Sequence, residues 1–302
     1  SLLPSGQTNP DLLLDNADRG TSSYNTITVL PTATVSGFAA YTDGAGNPGP
    51  FNAVTIQNAA RLGHQAYSTS ATHNTRLVLT AATLTVAADA SIDAASLGYR
   101  AGVSGVDWGN GSGAGEGPGG GYPTSGGYYA GNGAAHGGSG AGGNNNNRIQ
   151  YTTYGSLINP ITLGSGGGDI NASNGGGAIR IILTGELTLN GGIGAWGGSA
   201  GSAGGAGAGG SVWITAASLS GTGSVTANGG PCSGGSYSSQ GGCGGGGRIA
   251  IDGYASLAGT ISLLARGGQH ATDRSSENGG AGTLALTPSG QALPNLILDD
   301  GG

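Results

Sequence analysis

Paired carboxylates are the first candidates for chemistry in this sequence, because glycoside hydrolases cleave sugar chains with two facing acids. The 302 residues include 15 Asp and Glu, which are scattered along the chain. The closest pairs are Asp89/Asp93, Asp11/Asp15, Asp273/Glu277 and Asp299/Asp300. The second and fourth pairs fall in a motif shared by both ends of the chain, which favours a structural role. A lyase base is also unsupported, since no Lys is present. We predict no catalytic residues, and a polysaccharide-active enzyme is the least favoured alternative.

Metal binding has equally weak support. The spacing of the four histidines, at positions 64, 73, 136 and 270, fits no metal-ligand motif. Asp43–Asn47 and Gly168–Asn171 place oxygen side chains on Gly-containing turns, but neither supplies a full calcium ligand set. Asp, Asn and Gly dominate turns for backbone reasons. The sequence therefore predicts no cofactor and no metal, with calcium at one of these turns as the alternative.

The two cysteines lie in one Gly/Ser tract, PCSGGSYSSQGGC, at positions 232 and 243. With no neighbouring His or second Cys pair, a zinc site is not expected. We predict a disulfide between Cys232 and Cys243, which indicates an oxidising compartment and an extracellular or cell-surface location. The alternative is two small buried thiols.

Aromatic side chains in the longest Gly tract are candidates for ligand binding. They are Trp108, Tyr122, Tyr128 and Tyr129, and their neighbours are too small to bury them. Such rings either pack on the Gly segments or on another subunit, which is the favoured interpretation, or stack on sugars. The sequons at Asn110 and Asn171 are candidate glycosylation sites on predicted loops.

Composition narrows the class of protein. Gly occurs 69 times and charged residues make up 8%, but clusters of Val, Ile, Leu and Thr between the Gly tracts indicate ordered strands rather than disorder. The net charge of −6 forms no basic patch, which argues against nucleic acid as a partner. No apolar run approaches the roughly 18 residues of a membrane span.

Four segments share one pattern of two or three short alternating runs, small polar corners and a closing Gly-Gly. They are Ile179–Gly198, Ser211–Gly230, Arg248–Gly268 and Thr283–Gly302. Their starts are 32, 37 and 35 residues apart, and Arg76–Gly98 follows the same plan. Period-2 alternation places Ile179 and Ile181 on one face of a strand. The pattern predicts an all-β fold, a parallel β-solenoid of stacked coils, with a jelly-roll β-sandwich as the alternative.

Two regions follow from this repeat, although we expect one continuous structural unit. Residues 1–75 form an N-terminal β segment, and residues 76–302 form the Gly-rich β-repeat region. Between the coils, the tract Gly198–Gly210 has Gly at every third position. That period is typical of a polyglycine or PPII helix with three residues per turn and no internal hydrogen bonds. Its backbone groups must then be paired laterally; loose surface loops are the alternative.

The two ends of the chain share a motif. Residues 4–15 (PSGQTNPDLLLD) and 288–299 (PSGQALPNLILD) are identical at eight of twelve positions, at an offset of 284 residues. The motif predicts a strand with inward leucines and an Asp at the corner, and an assembly interface between copies of this chain. The predicted interface residues are Leu12, Leu13, Leu14, Asp15, Leu296, Ile297, Leu298 and Asp299.

Several runs also resemble a known class of module. They include LTVAADASIDAASLGYRAG, YGSLINPITLGSGGG, GGGAIRIILTGELTLNGGI and GGSVWITAASLSGTGSVTANGG. Over roughly residues 76–302, the sequence resembles Gly-rich modules of very large bacterial and archaeal surface proteins. The resemblance implies secretion, tandem modules and a structural or adhesive role. We therefore expect a structural unit of an extracellular fibre or surface array whose units join head to tail. The alternative is a glycan-binding adhesin module, with extracellular polysaccharide as its partner.

Overall fold

Short runs of alternating apolar residues form the strands of this protein. Alternation gives each strand one apolar face, which a second layer of structure must cover. The computed structural model describes residues 12–15, 26–29, 51–57, 59–64, 66–67, 76–102, 113–123, 130–143, 153–169, 171–201, 203–233, 240–270 and 278–299. Within these ranges the regular elements are strands, with no helix. The all-β prediction is confirmed.

The strands are, in chain order, β1 (Leu12–Asp15), β2 (Thr26–Val29), β3 (Phe51–Gln57), β4 (Arg61–His64), β5 (Leu77–Val86), β6 (Ser91–Asp93), β7 (Ala178–Leu183), β8 (Glu186–Leu189), β9 (Gly192–Gly194), β10 (Ser211–Thr215), β11 (Ser218–Ser220), β12 (Ser224–Thr226), β13 (Arg248–Tyr254), β14 (Ser256–Leu257), β15 (Ser262–Leu264), β16 (Gly282–Pro288) and β17 (Asn295–Asp299).

These strands form two sheets. The larger, eleven-stranded sheet follows the path β1-β3-β5-β7-β10-β13-β16-β17, and β8, β11 and β14 continue from β5 along a second row. The smaller sheet has the order β15-β12-β9-β6-β4-β2 and is parallel throughout. In the larger sheet, Ile179, Val212 and Ile249 are register partners in parallel strands. The parallel pairing predicted for these three repeats is confirmed.

The core lies between the two sheets. From the larger sheet, alternate residues such as Ile181, Ile214 and Ile251 are fully buried. The smaller sheet contributes Ile193 and Val225 to the same apolar cluster. Burying each such side chain stabilises the fold by about 1.5–3 kcal/mol. A single repeat cannot bury these side chains by itself, so this stabilisation requires the repeats to stack.

The Gly-rich segments form a second layer, which we call the glycine bundle (113–123, 130–143, 163–169, 171–177, 195–201, 203–210 and 240–247). Within it, successive N–H groups of 203–210 donate to three different neighbours in turn. Towards the preceding segment 195–201, Gly204, Gly207 and Gly210 donate to Gly201, Gly198 and Ala195. Towards segment 163–169, Gly205 and Ala208 donate to Gly168 and Ser165. Towards segment 240–247, Ala206 and Gly209 donate to Gly242 and Gly245. The direction repeats every three residues, so the predicted lateral pairing is confirmed for 203–210. The tract Gly198–Gly210 is not one helix without internal hydrogen bonds, however: it turns back between Gly201 and Gly204, and its two arms pair with each other.

Close approach between neighbouring backbones explains why these positions are Gly. A Cβ on Gly205 would lie 1.9 Å from the carbonyl oxygen of Asn132, and one on Gly207 would lie 1.9 Å from that of Asn174. Real Cβ atoms do not approach backbone this closely. The bundle therefore excludes every side chain at these positions, independently of φ.

The last repeat departs from the pattern of the others. Whereas earlier repeats continue into parallel strands, β17 runs antiparallel to β16. The reversal follows from a tight turn in which Gln291 N–H donates to Pro288 O at 3.1 Å and Gly290 has a φ of 82°. The parallel pairing that the repeat pattern implies for Thr283–Gly302 is confirmed for β16, which pairs with β13, but it is wrong for the second run: β17 folds back on β16 as a hairpin.

Candidate assembly edges

The two copies of the end motif form strands at the two opposite edges of one sheet. In the first copy, β1 pairs only with β3 among the described strands, and in the second, β17 pairs only with β16. Each of these strands therefore has a second side that no described strand pairs. Unpaired N–H and C=O groups of an edge strand can template the addition of another strand.

Exposed apolar side chains concentrate at the β17 edge. Leu293, Leu296, Ile297 and Leu298 in the last hairpin are 79%, 52%, 45% and 66% exposed. Monomeric soluble proteins rarely leave large apolar patches open, and such patches mark interaction surfaces. The described side chains at this edge are therefore suited to contact with another polypeptide.

The prediction that the motif's leucines point inward is wrong for the second copy. Ile297 is the register partner of the buried Leu284, whereas Leu296 and Leu298 are partners of Ala285 and Thr283. Because successive strand residues point to opposite faces, the two leucines lie on the face away from the core. In β1, Leu12 and Leu14 are the register partners of Val54 and Ile56.

Asp299, the last residue of the motif, contacts polar groups of a neighbouring segment instead of forming an exposed corner. Its carboxylate accepts from the backbone N–H of Ala265 at 2.8 Å and pairs with Arg266 Nε at 3.3 Å. These contacts tie β17 to the segment that follows β15. Asp15, its counterpart in the first copy, is the register partner of Gln57.

The predicted disulfide is present. Cys232 and Cys243 are bonded, with their Cα atoms 4.7 Å apart, and both are buried. Cys232 also forms parallel bridges with Ala200 and with His270. The bond therefore fastens the row of paired Gly-rich segments, and its oxidised state is typical of proteins outside the cytosol.

The aromatic residues proposed for glycan contact are only partly within the described structure. Tyr122 is 49% exposed, and Trp108, Tyr128 and Tyr129 lie outside the described residues. Of the two sequons, Asn171 is exposed with a φ of 58°, a turn conformation that Asn tolerates. Asn110 lies outside the described ranges.

Described acidic residues serve as partners within the fold. Asp89 accepts from Ala59 N–H, Asp93 pairs with Arg61, and Asp252 accepts from the indole N–H of Trp213. Among the described residues, no group of three His, Cys, Asp or Glu side chains could hold a metal ion. The turn Asp43–Asn47, one of the two calcium candidates, lies outside the described part of the chain. In the other, Asp169 has a φ of 76° and is buried.

A buried polar network joins the glycine bundle to the larger sheet, and the sequence did not reveal it. His136 is fully buried: its Nδ1–H donates to Gly209 O at 2.7 Å, and its Nε2 accepts from the Thr162 hydroxyl at 2.8 Å. The ring lies 4.7 Å from that of Tyr154. Arg248 donates to Tyr154 O at 2.8 Å and to Thr283 Oγ1 at 3.1 Å.

Burial controls protonation in this network. It lowers the pKa of His136 to about 4, and the nearby charge of Arg248 acts in the same direction. Burial also raises the pKa of the Tyr154 hydroxyl and lowers the pKa of Arg248. The imidazole is therefore neutral at pH 7, and its two hydrogen bonds fix the tautomer. A lone His among Gly residues gave no sequence signal, since its partners come from distant segments.

Comparison with known proteins returns no relative: no family model, no curated protein and no solved structure matches this chain. In the described ranges there is also no helix of the length and apolar character that crossing a membrane requires.

Proposed function

We propose that this chain is a structural unit of an extracellular fibre or cell-surface array, and that its units join head to tail. One observation carries the proposal: the same twelve-residue motif supplies the strand at each of two opposite edges of one sheet. A unit with matching ends and an open edge at each forms linear contacts that need not close into a ring.

The proposed architecture is a parallel β-solenoid, with the glycine bundle as a polyglycine-type layer beside it. In-register parallel pairing between successive repeats supports this architecture over the jelly-roll alternative, whose sheets are antiparallel. Repeat proteins of this kind need caps to remain soluble alone. The hairpin β16–β17 covers the last coil only in part, because its leucines stay exposed.

Two arrangements of the array follow from the 284-residue offset. Either separate subunits stack, or the motif is shared by consecutive modules of one long polypeptide, so that residues 295–299 of one module are residues 11–15 of the next. In the first arrangement the free side of β17 pairs with the free side of β1 of the next subunit. In the second, one shared strand lies between β16 of one module and β3 of the next. The buried cystine supports an oxidising, extracellular location for this array.

Deletion of residues 1–15 tests the proposal. The full chain should form linear particles in negative-stain electron microscopy and sediment as a polymer at micromolar concentration. The chain 16–302 should keep the strand signal in circular dichroism but remain monomeric. Fibres of unchanged yield from the truncated chain would contradict the proposal.

A fused chain separates the two arrangements. Residues 1–287 followed by residues 4–302 share one copy of the motif between two units. If the single chain is monomeric, small-angle scattering of the fused chain should show one rigid rod of about twice the length. Two units that tumble independently, together with a monomeric single chain, would overturn the head-to-tail array altogether.

A further inference from the structure

The outer face of the smaller sheet carries an exposed tryptophan at its centre. Trp196 follows β9 and is 41% exposed. Its six-membered ring lies over Gly194, where a Cβ would come within 2.0 Å of the ring atom Cζ3. Gly194 therefore provides the space in which the indole rests on the sheet, and one side of the ring contacts the backbone.

Grooves lie on both sides of this ring. One, of about 390 Å³, is lined by Ser91, Gly192, Ser224, Thr226 and Asn228 together with Trp196. The other, of about 290 Å³, is lined by Arg61, His64, Asp93 and Ala95, again with Trp196. Trp196 thus separates two open hollows, which together form one surface across several parallel strands.

The groove walls expose more apolar than polar surface and carry little net charge. Arg61, Ser91, Gly192, Ser224 and Ser262 are successive register partners. The side chains of the other four therefore follow the strand spacing of about 4.8 Å, with a gap at Gly192. The two charged members of the surface, Arg61 and Asp93, form an ion pair with each other. Hydroxyl and amide groups remain as the hydrogen-bonding groups of the larger groove.

The backbone that carries the ring is held in place before any ligand arrives. Trp196 O accepts from Ser96 N–H at 3.0 Å, and the N–H groups on either side of Trp196 donate to neighbouring repeats: Ala195 to Thr226 O at 2.8 Å and Gly197 to Asn228 O at 2.9 Å. A site fixed in advance loses less conformational entropy on binding than a mobile one.

We propose that this face binds a neutral polysaccharide, with Trp196 as the stacking platform and the hydroxyl and amide groups of the larger groove as hydrogen-bonding partners. This function goes beyond the structural role and does not depend on head-to-tail assembly. A sugar ring has an apolar C–H face and a polar rim, which match an indole bordered by hydroxyls. A nucleic acid would require unpaired cationic side chains along the groove, whereas Arg61 is neutralised by Asp93.

The sequence pointed to other aromatic residues for this role. Trp196 lies in the GIGAWGG run that ends a β-repeat, and there it resembles a core residue. Its exposure depends on Gly194 beneath it and on the small residues in the neighbouring strands.

Removal of the ring is the first test. The full chain, labelled and loaded below the micromolar concentration at which it is expected to polymerise, is run in native affinity gels that contain β-1,3-glucan, xylan, mannan or amylose, with polygalacturonate as the acidic comparison. The wild-type protein should be retarded by at least one neutral polymer. Trp196→Ala should weaken that binding on the order of tenfold or more, since a stacked aromatic contributes roughly that factor. Trp213→Phe, on the larger sheet, is the control and should bind as the wild type does.

A second variant fills the groove without removing the ring. No atom lies within 4 Å of the position that a Cβ on Gly192 would occupy. Gly192→Val should therefore fold normally, with an unchanged thermal midpoint, and still weaken binding on the order of tenfold. Wild-type affinity in both variants, retardation by polygalacturonate alone, or no retardation by any neutral polymer would overturn the proposal.

Discussion

Leu14 and Leu298 occupy the same position of the repeated end motif, but they lie in strands at opposite edges of the sheet, one paired in parallel and the other antiparallel. Leu14 is the register partner of the fully buried Ile56. Leu298 is the register partner of Thr283, is 66% exposed and belongs to an antiparallel strand. One sequence therefore forms a parallel edge strand at one end and an antiparallel hairpin strand at the other. The orientation of the motif depends on which strands are present beside it.

Charges on the exposed leucines of β17 should block assembly without unfolding the chain. In the double variant Leu296→Lys and Leu298→Lys, the free energy of unfolding should change by no more than about 0.5 kcal/mol, as for other surface changes. Fibre formation should fall below detection in sedimentation, because the junction would bury two unpaired charges.

Ile158→Lys is the matched control for that variant. Ile158 is 49% exposed, but it lies in a loop far from the end motif in sequence. This variant should assemble normally. Equal loss of assembly in both variants would show that general surface apolarity, rather than the β17 edge, drives association.

Gly205→Ala should strongly destabilise the glycine bundle. The new methyl carbon would meet the Asn132 carbonyl at 1.9 Å, and backbone on both sides would have to move. We expect a loss of about 1–3 kcal/mol in the free energy of unfolding, the usual range for overpacking. Gly192→Ala, where the surrounding space is open, should change it by less than about 0.5 kcal/mol. Equal denaturation midpoints for the two variants would contradict the lateral packing.

Periodic features of the sequence predicted much of this fold. Alternation at Ile179 and Ile181 identified core-facing strand residues, because strand periodicity is a local property. The three-residue spacing in Gly198–Gly210 likewise predicted lateral hydrogen bonds, because a helix of three residues per turn presents Gly to the same neighbour each time, but it did not predict the turn between Gly201 and Gly204.

Features that depend on distant segments could not be predicted in this way. The platform at Trp196 depends on strands from other repeats. The reversal at Gly290 is different, because it follows from the local turn Pro288–Gln291, whose Gly at the third position is itself a turn signal. His136 gave no signal either, since Gly209 and Thr162, which bind its ring nitrogens, are far away in sequence.

Loss of the disulfide should weaken the fold even though the loop it closes is short. The double variant Cys232→Ser and Cys243→Ser should lose about 3 kcal/mol in the free energy of unfolding, through greater freedom of the unfolded chain. Wild-type protein in reductant should show a similar loss. A thiol reagent should label the unreduced, denatured wild type at neither position; labelling there would contradict the bond.

His136 should make the fold sensitive to acid. Its pKa is about 4 in the folded chain because of burial, against about 6.5 in an unfolded chain. Between these values the unfolded chain binds the extra proton, so stability falls as the pH is lowered from 6.5 towards 4. For one such group, the loss of stability between pH 7 and pH 4.5 is about 2 kcal/mol.

His136→Asn, which keeps an N–H donor for Gly209 O, should be less stable at pH 7 but should lack this part of the pH dependence. Denaturant unfolding of both proteins at the two pH values measures the difference, in which the common contribution of the carboxylates cancels. Parallel pH profiles for the wild type and the variant would show that His136 binds its proton equally in the folded and unfolded chains, and therefore is not held neutral by the glycine bundle.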